Sequence, residues 1–509
     1  MSFIFKILAS DQAVELIPDG ACIGINSFLA LANPNELHSA LARRFLKTGH
    51  PKDLTLYCAS GFGGWSDKLF ADQYIQLGAV KKIIASHFMS MPTVLQMASA
   101  NKLECYCMPL GVLSHLIRAS ASGSDWFFSK VGLDLFVDPR RDGAGINECS
   151  REEMVKLVKI ENEEYLAYKV PKINAAFIKG TTVDPNGNIS FENENVTVDA
   201  LALAQAVKNN GGVVIVQVER VSHVFTRPRN VIVPGAFVDA VVVCTDVPEI
   251  QKYSPILAGD IHVPPTQMDY WMSQLSPSGK RGSGMNDDDS AEIIGMRAVR
   301  ELRGGDIVNI GIGIPEFVGK CASETGILKD IILTVEAGGI GGLPAPGLSF
   351  GATIGSDMIC DTAAQFDFYD GGGLDICFMG GIEVDCRGNV NAHKIDSRFV
   401  GIGGFANITN KTKTVIFCLT FKTGGLSVKR EKESGKVKIC KEGSVSKFKK
   451  SIHDVSFSAS NALKNGQRVL YVTERCVFGL TQDGIKLLEV FDGIDKQKEI
   501  IDLLDFEIE

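Results

Sequence analysis

Glu336 is the side chain in this sequence best placed to do chemistry. The apolar run Ile331–Val335 reads as a strand that delivers it straight into Gly338–Gly342, five residues of which four are glycine. A carboxylate at a strand end, with so little bulk beside it, can be approached closely by a substrate. A glutamate ahead of a loop is otherwise an ordinary solvated charge. The glycines argue against that reading, because a flexible loop loses more entropy on ordering and needs a reason to exist. A second candidate is Gly311, Ile312, Gly313, Ile314 and Pro315, which follow the strand DIVNI and precede the helical pattern EFVGKCAS. A glycine loop opening a helix presents backbone N–H groups and the positive end of a dipole to an anion. Pro315 suits the first helical turn. The same five residues would also make a tight βα turn with no ligand.

Other motifs are weaker. Gly401–Ala406 matches GxGxxA, but Asn407–Lys413 reads as a turn and VIFCLTF after it as a strand. A dinucleotide fingerprint needs a helix there, so NAD binding is not expected. Gly347–Gly351 matches GxSxG around Ser349, yet Pro344 and Pro346 suit an interior strand poorly. With His393 and His453 downstream, a serine hydrolase stays open as an alternative. No phosphate-binding Walker motif occurs, and the eight histidines show no metal-ligand spacing, so no metal is expected. The Lys-rich stretch 424–452 alternates like an exposed hairpin, which favours a solvated face over a contact to an anionic substrate.

These loops need a scaffold. Strand-like runs alternate with helical patterns, as in ACIGINSF before NELHSALARRFL and in VDALALAQAVKN before GGVVIVQVERV. Such alternation implies parallel sheets covered by helices, with ligands beyond the carboxyl ends of the strands. The 509 residues suit two large domains or about three of ordinary size. Pro, Ser, Gly and acidic residues collect near 254–290. Just after them, Ala298–Leu302, Gly305 and Ile307–Ile310 can be laid on Ala13–Leu16, Gly20 and Ile23–Ile25. The expected organisation is therefore a first α/β domain over 1–260, a linker over 261–290 and a similarly built second domain over 291–509, with a crevice between the two.

Composition removes other classes. A formal charge of −8 argues against a nucleic-acid partner. No apolar run reaches about 18 residues, so no membrane span is expected. Thirteen scattered cysteines without a CxxC pair read as reduced thiols in a cytoplasmic compartment, with an organelle matrix also compatible.

Taken together, these residues resemble the family I coenzyme A transferases, most closely the single-chain acetate/propionate group. The resemblance runs along nearly the whole chain through VDPRRDGAGIN, FIKGTTVDPNGNIS, VPGAFVD, GIGIPE, LTVEAGGIGG, FDFYDGGGLD, GNVN, GIGGF and LYVTERCVF. It implies two similar open parallel-sheet α/β domains with the active site at their interface, and a homo-oligomer (dimer or tetramer). It implies that Glu336 is the nucleophile, becoming a glutamyl-CoA thioester as coenzyme A passes from a short-chain acyl-CoA to a free acid such as acetate, propionate or butyrate. Backbone N–H groups at Gly403 or Gly404 would steady the oxyanions, and the Gly311–Pro315 loop would hold coenzyme A. CoA is then a substrate, and no cofactor is bound permanently.

The chain also departs from the family. Leu110 stands where a glutamine amide usually helps form the oxyanion hole, a donor typically worth about 2.7–4 kcal/mol of transition-state stabilisation. Asn26–Leu29 replaces a glycine-rich loop, Leu419 replaces a glycine, and His393 replaces a small polar residue. Two alternatives follow: an acyl-CoA hydrolase on the same scaffold, or a catalytically weakened CoA-binding protein.

Overall fold

The fold is taken from a computed structural model, which describes residues 5–258, 263, 267, 288–396 and 398–508. Most of the expected linker, 261–290, lies outside the described residues. The first half builds an eight-stranded sheet in the order Lys6–Ile7, Ala240–Val243, Val213–Val218, Ala175–Lys179, Cys22–Ile25, Leu54–Tyr57, Val80–Ala85 and Glu104–Cys107. Every neighbouring pair is parallel. Helices such as Asn35–Thr48, Leu110–Ala121 and Ala200–Asn209 connect and cover it. Strands buried on both faces are near-continuous runs of β-branched residues, as VVIVQV at Val213–Val218 shows.

The second half builds a nine-stranded sheet. Its middle five strands, Ile332–Thr334, Ile307–Ile310, Ile376–Met379, Thr414–Cys418 and Arg468–Val472, are parallel. Antiparallel strands are added at both edges of this parallel core. At the last edge the cause is the length of the connection. Cys476–Thr481 and Gly484–Val490 are separated by two residues, too few for the crossover that parallel strands require.

The internal likeness goes further than the opening helix and strand. Asp184 and Asp385 make the same turn in the two halves. Asp184 Oδ1 accepts from the N–H groups of Asn186 (2.8 Å) and Asn188 (3.0 Å), and its Oδ2 accepts from Asn188 Nδ2. Asp385 does likewise with Arg387 (3.0 Å), Asn389 (2.8 Å) and Asn389 Nδ2. Gly187 and Gly388 close the turns at φ of 83° and 92°, a region that a residue with a Cβ seldom enters. The Lys-rich stretch contains the expected hairpin, Ser427–Arg430 against Val437–Lys441. All thirteen cysteines are free. No described helix is long and apolar enough to cross a membrane.

Candidate active site

Register places the glycine loops together. Ile307–Ile310 and Ile332–Thr334 run parallel with Asn309 opposite Thr334, and Asn309 is also opposite Cys377 of Ile376–Met379. The Gly311–Pro315 loop, the Glu336 turn and Gly380–Gly381 therefore leave the sheet at one edge, beyond the carboxyl ends of three adjacent strands. A Cβ placed on Gly380 would lie 3.9 Å from the Ile312 carbonyl oxygen, which measures how near these loops come.

Glu336 follows its strand into a tight turn, in which the Gly338 N–H donates to the Val335 carbonyl oxygen at 2.9 Å and the Val335 N–H to Gly339 O at 2.8 Å. The residue keeps some surface, but its carboxyl group is desolvated. Burial pushes the carboxyl above its ordinary value, against the pull of its own backbone N–H and of the Asn309 amide. Asn309 belongs to a buried polar group below the carboxylate. Its Nδ2 donates to Thr334 O at 3.2 Å, and Tyr369 Oη donates to Thr334 Oγ1 at 2.9 Å. Burial also raises the Tyr369 phenol, with Glu336 among the charges acting on it. Asn309, Thr334 and Tyr369 were not singled out from the sequence. The available signal was one polar residue inside the apolar strand IVNI.

The loop carrying Gly403 and Gly404 is clamped to the first half. Val400 O accepts from the N–H groups of Phe88 (3.0 Å) and Met89 (3.2 Å), and Ser86 O accepts from Ile402 (2.8 Å) and Gly403 (2.9 Å). The Leu110 N–H donates to Gly403 O at 3.0 Å. The Gly403 N–H is thus already engaged, which removes it as a free donor. The Gly404 N–H makes no hydrogen bond among the described residues, and a Cβ built on Gly404 would lie 3.5 Å from Glu336 Cγ. Of the two expected donors, Gly404 is the one next to the carboxylate and unspent.

The turn expected at Asn407–Lys413 is instead largely helix, Phe405–Lys411. Asn407 is fully buried and its side chain is satisfied by distant partners, which removes the local competition that makes asparagine a turn residue. No dinucleotide unit results. The segment before this loop is Arg398–Phe399, a two-residue arm of an antiparallel pair, where the fingerprint needs a parallel strand. The serine elbow is also missing, because Gly347–Ser349 is a short 3₁₀ turn between the Leu343–Pro344 and Thr353–Ile354 strands.

The Gly311–Pro315 loop has the expected form. Gly311 N–H is tied to Phe378 O at 2.8 Å, Ile312 is 53% exposed, Gly313 sits at φ 86°, and the helix Glu316–Thr325 starts after Pro315. Among the described residues, Ile312, Gly313 and Ile314 leave their N–H groups unpaired. Among the described residues, one cluster has the makings of a cation site, Asp142, His453 and Asp454. It is largely exposed, and Lys394 already pairs with Asp454 at 2.9 Å. It carries no further argument.

Residues 7–244 match the family model described as coenzyme A transferase. The chain is 39% identical to the caffeate CoA-transferase of Acetobacterium woodii, over 98% of this chain and 94% of that protein. It is 38% identical to the acetate CoA-transferase YdiF of Escherichia coli K12, over 98% and 92%. A solved acyl-CoA transferase of E. coli O157:H7, described as a thioester complex with CoA, superposes with a TM-score of 0.88 at 36% identity, covering 99% of this chain and 93% of that one.

Proposed function

The chain belongs to the coenzyme A transferase family and is a CoA-transferase, and from that premise we propose that Glu336 carries coenzyme A as a glutamyl thioester. The observation that carries the reading is a desolvated carboxyl group on a glycine turn, with Gly404, whose N–H is unspent, packed beside the side chain. Desolvation leaves a carboxylate reactive, and the Asn309 amide keeps it oriented.

The Glu336 carboxylate attacks the thioester carbon of a bound acyl-CoA. The carbonyl π electrons move to oxygen, and the Gly404 N–H donates to that oxyanion. Collapse breaks the C–S bond, expels CoA thiolate and leaves an acyl–glutamyl anhydride. The thiolate then attacks the glutamyl carbonyl carbon, the anhydride C–O bond breaks, and the first acid departs as carboxylate. A second carboxylate runs the same steps in reverse and leaves as its CoA ester, restoring Glu336. A thioester keeps its energy through these exchanges only if its carrier is itself an acid and water is kept away.

On this reading the unpaired N–H groups of Ile312, Gly313 and Ile314 face an anionic part of coenzyme A, with Gly311 and Pro315 shaping the loop. Residues 1–260 and 291–509 act as the two domains around the crevice, and the acids exchanged are short-chain ones such as acetate, propionate and butyrate. The deciding experiment incubates the enzyme with acyl-CoA and no acceptor acid, then measures intact mass. An added CoA that is absent from Glu336→Gln and discharged by added carboxylate is expected. Full turnover by E336Q would end the proposal.

A further inference from the structure

We propose that Asn407 is a positioning residue of the transfer reaction, gripping the first half and the Asp370 carboxylate at once and so holding the Gly404 N–H against Glu336. This rests on the reading of Glu336 and Gly404 given above.

Three observations carry it. First, the polar atoms of Asn407 are spent on two separate elements. Its Oδ1 accepts from the Gly111 N–H of the first half at 3.1 Å, and its Nδ2 donates to both oxygens of Asp370 at 3.0 and 3.1 Å. Second, the fit is close. A Cβ on Gly111 would stand 2.5 Å from Asn407 Nδ2 and 2.6 Å from Phe366, so this approach requires glycine there. Third, the bond stands where no other does. The remaining backbone bonds from this loop to the first half involve Val400, Ile402 and Gly403, all before Gly404. Within the helix Phe405–Lys411 that follows Gly404, Asn407 supplies the hydrogen bond to the first half. Gly404 is therefore held from both sides, and the two consecutive N–H groups of Leu110 and Gly111 do the holding.

The pair with Asp370 also offers a chemical handle. Asp370 ends the helix Thr362–Asp370. It faces His115 Nε2 at 3.8 Å from the helix Leu110–Ala121, Lys411 from the helix of Asn407, Tyr168 from the strand Glu163–Lys169, and Asp367 on its own helix. Burial pushes its carboxyl up to about 7, with Asn407 and Lys411 pulling down and Asp367 pushing up.

The test is Asn407→Asp, which keeps the Oδ1 acceptor for Gly111 and turns the donor toward Asp370 into a second carboxylate oxygen. At pH 8 two carboxylates would face each other, and kcat is expected to fall about tenfold to hundredfold, with KM for acyl-CoA changed less than about twofold. Near pH 6 one proton shared by the pair would restore the hydrogen bond, and kcat should return to within about threefold of wild type at that pH. Asn407→Ala should lose kcat equally at both pH values. Gly111→Ala is a second route that disturbs Asn407 from the first-half side, since its Cβ would crowd Nδ2, and the same loss without recovery is expected. The proposal is overturned if N407D or G111A keeps wild-type kcat at pH 8, or if the loss in N407D does not recover at pH 6. These rates do not depend on detecting the thioester. A wild-type enzyme that turns over without a Glu336 adduct refutes the nucleophile assignment separately.

Discussion

Gly404 and Glu336 belong to loops some seventy residues apart in sequence, yet a Cβ on the glycine would lie 3.5 Å from Glu336 Cγ, and only 3.2 Å from Ile408 Cδ1 and 3.3 Å from Phe366 Cζ. Gly404→Ala therefore pushes on the proposed nucleophile and on the floor beneath it. A kcat loss on the order of 10²-fold is expected. Gly403→Ala is the contrast. It meets open space but sits at φ 53°, so it should cost about 1–2 kcal/mol of stability and change kcat by less than about fivefold. Steady-state kinetics and thermal melts of the two variants would separate crowding from strain. Equal kinetic effects would count against the special place given to Gly404.

A second prediction concerns charge at position 336. The folded carboxyl is raised above its ordinary 4.5, chiefly by burial, so folding favours its protonated form. The stability owed to that group is fully present below the unfolded value and is lost as pH rises through the folded one. Glu336→Gln should thus raise Tm by about 2 °C or more at pH 8 and by less at pH 5. Transfer should fall on the order of 10⁴-fold or more. Melts that show the larger gain at pH 5 would contradict the desolvated carboxylate.

Much of this site could be read from the chain because its signals are local. A strand that ends in Glu336 before four glycines, and a strand–glycine–proline–helix run at Gly311–Pro315, need no distant information. What escaped depends on partners far away. Asn407 looks like a turn residue until the Gly111 N–H and the Asp370 carboxylate satisfy its side chain. Gly403 looks like a donor until Ser86 O takes its N–H. Asn309 announces a buried polar group but not the Thr334 and Tyr369 it meets. The antiparallel edge at Cys476–Val490 is again local, since the two-residue Gln482–Asp483 connection is too short for a parallel crossover.

The repeated turn gives a third prediction. Asp184 is fully buried, and its Oδ2 also accepts from the Thr226 N–H at 3.0 Å. Burial raises its carboxyl, but the N–H groups of Thr226, Asn188 and Asn186 and the Asn188 amide outweigh that and hold it below the ordinary value. Its stabilisation is present above the unfolded value and is lost as pH falls through the folded one. Asp184→Ala leaves several buried donors unpaired and should cost about 3 kcal/mol at pH 7. Asp385→Ala, which breaks the sister turn, should cost a similar amount. Urea unfolding would check both, and a loss under about 1 kcal/mol in either would mean that the glycine geometry alone holds the turn.

His393 links acid stability to the proposed oxyanion loop. Its ring stacks on Phe136 at 4.2 Å between centroids, its Nδ1 meets Ser456 Oγ at 2.7 Å, and its Nε2 is buried with no partner. Burial pushes it down to about 3, with Asp454 pulling up and Lys394 pushing down. The unfolded chain therefore binds a proton that the folded one refuses, and the stability of the neutral ring, complete above its ordinary 6.5, drains away as pH falls. Between pH 7.5 and 5 that loss amounts to about 2 kcal/mol. His393→Phe keeps an aromatic ring beside Phe136 and removes the titration. It should lose about 1 kcal/mol at pH 7.5 with the Ser456 bond, yet show a flatter fall toward pH 5. The carbonyl oxygen of His393 also accepts the Val400 N–H at 2.8 Å, at the start of the loop that ends in Gly404. Protonating this ring should accordingly loosen that loop before the sheets unfold. Activity of the wild type is expected to fall at a higher pH than its circular dichroism, while in H393F the two should move together. Coincident acid transitions in the wild-type enzyme would show that the ring and the loop are not coupled.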